Sequence, residues 1–361
     1  MNFNLNPLGR ILNCIPGDRV PYRPGESRIH QIGLSCNPLP PDGYGGIETI
    51  ITNLTRGLVD HNIPVTCYAP APFDIDDAEF YQTLPEPTTG PKDGVDSANT
   101  RTHLSAVTEG LKHRIEPGDI VHFHHDEHFS YIYKRLRGSA LGRRVNYVET
   151  AHWTNVGASR NLIYPSQALK KHVGRPGETI PHGIDQSIFS PDGDRPADSG
   201  KYVLYAGRIT EDKGIHLCAE AVASSEYEFR IAGPLVDETY AEQFLDDVTY
   251  LGELDQEDLV RQYRGAAGFL YMTQYVEPFG LAVVEAMACG TPVITTGYGG
   301  TGETVVDGET GYVCETIPQL RTALSKLSDL KRSDCIDRAK NYDIETMTNR
   351  YITHYEDLYA Q

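Results

Sequence analysis

The chain has 361 residues, 39% of them hydrophobic and 23% charged, ordinary proportions for a soluble globular protein and enough length for two cores rather than one. Its formal charge is −18 and lies mostly downstream: up to Asp185 there are 18 Lys and Arg against 20 Asp and Glu, and beyond it 14 against 30. An acidic second half excludes a nucleic-acid binder with a basic face, and no long apolar run offers a membrane span.

Residues 1–27, rich in Asn, Pro, Gly and Arg, show no clear period and read as an irregular extension. The first strand is predicted over 28–36, followed by a Pro/Gly loop, a helix over 47–61 and a second strand over 64–69. Pro, Asp, Thr and Gly dominate 70–100, which reads as one long loop. Short strands are expected at 119–124 and 145–150, with helical stretches between them. A basic run on that stretch (Lys134, Arg135, Arg137, Arg143, Arg144) reads either as a solvated helix face or as a contact for an anionic acceptor or membrane surface. After a linker-like segment at 190–200, a second series follows. It places strands at 201–207, 228–232, 249–251, 268–272 and 292–295, helices at 215–224 and 256–264, and a small-residue helix after Gly280. Alternating strand and helix throughout predict two parallel sheets with right-handed crossovers, hence two doubly wound domains facing across a cleft. The seven cysteines (14, 36, 67, 218, 289, 314, 335) lack C-x-x-C or metal-ligand spacing and read as free thiols of a reducing, cytoplasmic compartment.

Four motifs carry the chemistry. Gly43-Tyr-Gly45-Gly46-Ile-Glu48 opens the first helix, where glycines let backbone N–H groups approach an anion. Gly207-Arg208-Ile-Thr-Glu-Asp-Lys213-Gly214 joins a strand to a helix, so that Arg208 and Lys213 could converge on a diphosphate, one as a fork and one as a point charge. Glu277-Pro-Phe-Gly-Leu-Ala-Val-Val-Glu285 sets two carboxylates about 12 Å apart at helical rise, one able to grip hexose hydroxyls and the other ribose hydroxyls. Glu285 lies in an apolar helix and therefore needs a partner. Asp119-Ile-Val-His122-Phe-His124-His125-Asp126 gathers three histidines, but His122 and His124 share a face only while the strand lasts, His125 and Asp126 fall in the loop, and no Cys or Glu completes a coordination set, so neither metal nor cofactor is expected.

Together these motifs resemble those of the retaining, family 4 glycosyltransferases of the GT-B fold, over about 28–315 and most strongly over 201–315. The resemblance implies an N-terminal acceptor-side domain (1–185, with 1–27 as its extension), a C-terminal nucleotide-sugar domain (186–343), and a last helix (344–361) crossing back onto the first. It implies donor-phosphate roles for Arg208 and Lys213, and sugar binding by Glu277 rather than covalent catalysis. Gly45, Gly46, Phe279, Gly280, Leu281 and Glu285 would bind the donor. His124 would lie against the reacting sugar, and His152 on the acceptor side. The role of Asp126 stays open. His182 stands where the family usually has Asn, in Ile180-Pro-His182-Gly183-Ile184-Asp185. Gly299-Gly300-Thr-Gly302-Glu303 resembles a family turn that reads as structural, with Glu303 able to brace the donor site. The expected reaction moves a hexosyl unit from a nucleotide-diphosphate sugar to a sugar, glycan, small-molecule or lipid-linked acceptor, with retention of configuration. A nucleotide-sugar epimerase and a silent sugar-nucleotide binder are the alternatives.

Overall fold

The computed structural model describes residues 20–43, 45–88 and 98–358. Two parallel sheets organise it. The first joins β1 (Ile29–Ile32), β2 (Val65–Ala69), β3 (Glu79–Gln82), β4 (Ile120–Phe123), β5 (Asn146–Thr150), β6 (Asn161–Tyr164) and β7 (Glu178–Thr179) in the order β3-β2-β1-β4-β5-β6-β7. The second joins β8 (Tyr202–Ala206), β9 (Glu228–Ala232), β10 (Thr249–Tyr250), β11 (Gly268–Tyr271), β12 (Val293–Thr295) and β13 (Gly311–Val313) in the order β10-β9-β8-β11-β12-β13. The expected pair of doubly wound α/β domains is thus present. Every residue of β1, β2, β4, β8 and β11 is buried, as strands must be when helices cover both faces.

The helices are α1 (Gly46–Asp60), α2 (Ala98–Arg114), α3 (Asp126–Leu136) and α4 (Gln167–Val173) in the first domain. The second holds α5 (Ile215–Val222), α6 (Glu238–Ala241), α7 (Gln256–Gly265), α8 (Leu281–Ala288), α9 (Thr301–Thr304), α10 (Ile317–Leu324) and α11 (Arg332–Ala339), after which comes α12 (Ile344–Asp357). Strand parity divides the first core. Ile29, Cys67 and Ile120 meet Ile51, Leu54 and Leu58 of α1 together with Met347, Tyr351 and Tyr355 of α12. Ile32, Tyr68 and Phe123 meet α2 and α3 on the other face. The last helix therefore returns to the first domain, where the Tyr351 hydroxyl lies 2.9 Å from Thr150 Oγ1 and that of Tyr355 lies 2.8 Å from His122 Nδ1. The chain crosses between domains twice at one place, where Ile184 and Asp343 form a parallel bridge.

The region 70–100 departs from its reading as a single loop. It holds β3, an edge strand whose Glu79 and Gln82 are exposed, and α2 begins at Ala98; residues 89–97 lie outside the described ones. The strand predicted over 28–36 pairs only through Ile32, and the chain then turns into the loop that reaches α1. Among the described residues no helix is long and apolar enough to cross a membrane.

Candidate active site

In each sheet the strand order reverses at one place, between β1 and β4 in the first and between β8 and β11 in the second. Crevices at such switch points, beyond the strand C-termini, are where doubly wound sheets bind ligands. The loops leaving these four strands carry all four motifs singled out above. The loop after β1 leads to Gly45 and Gly46, and His124 directly follows β4. The loop after β8 holds Arg208 and Lys213, and the one after β11 holds Glu277, Phe279 and Gly280.

The first contact between the domains is made by two helix N-termini. Gly45 precedes α1 and Gly280 precedes α8, and neither helix has a side-chain cap. A methyl group built on Gly46 would sit 3.9 Å from Leu281 Cδ1, so the two helix starts lie close to one another across the cleft. Their orphan N–H groups and dipoles favour an anion between them. Gly280 takes φ +88°, and a Cβ there would stand 2.8 Å from Thr301 Cγ2. Gly299 and Gly300 are required by space: a Cβ on either would strike the backbone of 277–279, at 2.2 and 2.7 Å. The loop bearing Glu277 is thereby pressed flat onto the turn after β12.

Lys213 and Glu277, assigned from sequence to phosphate and sugar respectively, are joined in a buried pair. Lys213 Nζ lies 3.0 Å from Glu277 Oε2, with the two residues only 4% and 8% exposed. Two tyrosines complete the cluster. Lys213 Nζ donates to the hydroxyls of Tyr271 at 3.0 Å and Tyr275 at 2.5 Å, and these hydroxyls donate to Glu277 Oε2 at 2.9 and 2.6 Å. Such saturation offsets the desolvation of both charges. Arg208 follows β8, half-buried, its carbonyl accepting from the Tyr205 hydroxyl at 2.7 Å. Glu285 lies half-buried on α8, 3.3 Å from the Tyr263 hydroxyl of α7, the partner its apolar helix demanded. Burial pushes its carboxyl up to about 7, moderated by that hydrogen bond.

On the first domain His124 is fully buried and both ring nitrogens are engaged. Nε2 lies 2.8 Å from Gln31 Oε1 and Nδ1 lies 3.0 Å from His152 Nε2. With the Gln31 carbonyl accepting from Nε2–H, Nδ1 of the neutral ring accepts from His152. Burial holds both imidazoles well below their usual range, with neighbouring imidazoles adding to the effect. The His152 ring stacks on His182 at 5.1 Å, and His182 meets Phe279 edge-on at 5.2 Å. A histidine column thus runs from the first core to the Phe279 loop of the second domain. His125 and Asp126 start α3, their side chains 3.3 Å apart. Among the described residues no group of three or more His, Cys, Asp or Glu could hold a metal ion.

A second interdomain contact lies beside the first. Ser166 Oγ donates to the Pro278 carbonyl at 2.7 Å, and Glu303 accepts from the backbone N–H groups of Gln167 and Ala168 at 3.1 and 2.6 Å. A carboxylate of one domain thereby caps a helix of the other. Sequence reasoning named Glu303 but missed Ser166, Tyr271, Tyr275 and Gln31. Gln31 left a usable signal, an amide inside a wholly buried strand; the tyrosines did not, because tyrosine is common in strands.

Comparison with known proteins agrees with the two-domain α/β architecture. The model of the Glycosyltransferase Family 4 domain matches residues 44–188 and that of Glycosyl transferases group 1 matches 190–342, together most of the chain. A glycogen synthase of Mycobacterium tuberculosis is 32% identical over 196 residues, 48% of this chain and 46% of that protein, so the match spans about half the relative's length. D-inositol 3-phosphate glycosyltransferase 2 of Catenulispora acidiphila is 26% identical over 354 residues, covering 79% of this chain and 82% of its own. In fold, the chain matches sucrose-phosphate synthase from Thermosynechococcus elongatus with a TM-score of 0.75 at 20% identity, over 92% of this chain and 99% of that one. It matches Anabaena HepE, solved with UDP-glucose, at 0.67 and 16% identity, over 92% and 100%. The chain belongs to the family 4 glycosyltransferases of the GT-B fold.

Proposed function

We propose that the protein transfers a hexosyl unit from a nucleotide-diphosphate sugar to an acceptor hydroxyl with retention of anomeric configuration. The observation that carries this reading is the closeness of two uncapped helix starts, at Gly46 and Leu281, together with the Lys213–Glu277 pair. A diphosphate between them would meet N–H donors from both domains, with Lys213 and Arg208 drawing off charge as the leaving group forms. Two cations can do this without a metal. Glu277 would hold the sugar hydroxyls, the N–H groups at Phe279, Gly280 and Leu281 would orient the ring, and Glu285 would take the ribose. HepE, solved with UDP-glucose, supports a nucleotide sugar as the donor class.

Retention would follow front-face attack. The acceptor oxygen bonds to the anomeric carbon as the bond to the phosphate oxygen breaks, and that oxygen takes the acceptor proton. Glu277, tied up by three donors on Oε2, is better placed to position sugar than to attack it. His124 would line the sugar side and His152 the acceptor side. Six described cysteines are free thiols, which supports a reducing, cytoplasmic setting. The experiment is to incubate the protein with a panel of nucleotide sugars and candidate acceptors, follow nucleoside diphosphate release, and read the product anomer by NMR. Inverted product, or a donor merely epimerised, overturns the proposal.

A further inference from the structure

The acceptor side carries an aromatic surface that the donor chemistry leaves unused. Trp153, the chain's one tryptophan, follows β5 and His152 directly, and 43% of it is exposed. Its ring meets His125 edge-on at 6.4 Å. His125 stacks on His128 at 4.8 Å, and His128 lies 5.5 Å from His103. His103 is pinned in turn, with Thr83 Oγ1 at 2.7 Å and the Gly33 carbonyl at 3.2 Å. The exposed ring is therefore backed by a fixed column of imidazoles. His128 Nδ1, buried within that column, has no hydrogen-bond partner among the described residues.

The charged side chains at the start of α3, next to His125, are acidic. Asp126 and Glu127 occupy the first turn of α3. Glu149, almost wholly buried, lies one residue before the end of β5, with Oε1 accepting from Gly157 N and Oε2 unpartnered among the described residues. Arg175, a cation close enough to act on Glu149, donates to the carbonyls of Gly157 and Ser159. The basic run, the feature suited to a phosphate, lies elsewhere. Lys134 and Arg135 sit in the last turn of α3, about 16 Å of helix from the cleft end.

We propose that this surface selects the acceptor: a neutral carbohydrate ring lies with its apolar face on Trp153 and its hydroxyls toward Asp126, and phosphorylated sugars are turned away. An aromatic face with a few fixed polar groups is the usual composition of a site for a small amphipathic ligand, whereas a phosphate here would meet carboxylates instead of arginines. The inference rests on the transferase reading above, and sets this chain apart from relatives whose names specify a phosphate.

Because Trp153 is the sole indole, intrinsic fluorescence reports on it alone. Titrations without any nucleotide would use maltose and methyl α-glucoside against glucose 1-phosphate and glucose 6-phosphate. The neutral sugars should shift the emission saturably, with the phosphates at least about tenfold weaker. Asp126→Asn should narrow that gap. Once a transferable donor is known, Trp153→Ala should raise the acceptor KM about tenfold while kcat changes far less, and Trp153→Phe should restore most of the loss. Equal or tighter binding of the phosphates, or no spectral response to either neutral sugar, overturns the proposal. Failure of the transferase reading would show separately, as nucleotide sugars left unconsumed by wild-type protein.

Discussion

Lys213 and Glu277 meet as an ion pair, Nζ to Oε2 at 3.0 Å, inside a ring closed by the hydroxyls of Tyr271 and Tyr275. The cation assigned to the phosphates and the carboxylate assigned to the sugar thus hold each other in place before any donor arrives, a form of preorganisation.

Removing the lysine should therefore do two things. Lys213→Ala leaves Glu277 buried with only tyrosine donors, at a cost of about 3 kcal/mol in urea unfolding. It should also weaken nucleoside diphosphate binding by about 1.5–3 kcal/mol, read by calorimetry. Loss of stability with unchanged affinity would confine Lys213 to a structural role.

Glu277→Gln keeps the shape and removes the charge. Turnover should fall about a hundredfold through misplacement of the sugar and of Lys213, with nucleoside diphosphate affinity much less affected. Near-normal turnover would release Glu277 from the sugar site.

Glu149 supplies a pH signature. Burial, opposed by the hydrogen bond from Gly157, pushes its carboxyl up to about 7. A raised carboxylate stabilises the fold while protonated, so its contribution is complete below the unfolded value and is lost as pH rises through about 7. Glu149→Gln retains the acceptor for Gly157 and cannot titrate. The stability difference between wild type and Glu149→Gln should therefore favour wild type most near pH 4.5 and shrink up to about pH 7, by chemical denaturation at each pH.

The histidine column works in the opposite direction. Burial lowers His182 to about 3, as it does His122. A depressed histidine contributes stability in full above the unfolded value of 6.5 and loses it as pH falls toward 3. Each such group costs up to about 1.4 kcal/mol per pH unit. His182→Asn should flatten the acid limb of the stability profile by one such group; an unchanged limb would mean that the ring charges freely in the fold.

The Glu303 clasp should govern closure. Glu303→Ala removes the acceptor of the first two N–H groups of α4, and with Ser166→Ala it frees the Pro278 loop from the first domain. Scattering in solution should show a larger radius of gyration, and donor KM should rise more than kcat falls. A double variant as compact as wild type would leave closure to the hinge alone.

Much of this was legible in the chain. The strand at 228–232 matches β9 to the residue, because Phe229 and Ile231 alternate with Glu228 and Arg230 and Gly233-Pro234 ends the run. The motifs of all four loops fall at the two switch points, since glycines and charged residues must leave the strand ends together there. What could not be read shares one physical trait, dependence on a distant partner. The edge strand β3 has half-exposed residues and no apolar run, and only its pairing with β2 makes it a strand. The last strand of the first sheet has two residues. Ser166 looks like an ordinary N-cap, which it is, and nothing local announces that its hydroxyl also reaches Pro278. The glycines at 299 and 300 read as turn formers; for Gly300, with φ in no unusual region, the demand is room for Phe279.

The paired crossings at Ile184 and Asp343 carry a mechanical consequence. A body hung from a single strap can twist, tilt and swing; one hung from two adjacent straps keeps mainly the swing about the place where they lie. Gly183 is held there from the first domain by Asn53 and Met347, so the straps do not slide. The lobes of this molecule should open like a book with a bound spine, returning the same pages to register at every turnover, and severing either strap would loosen the binding without touching a word of the text.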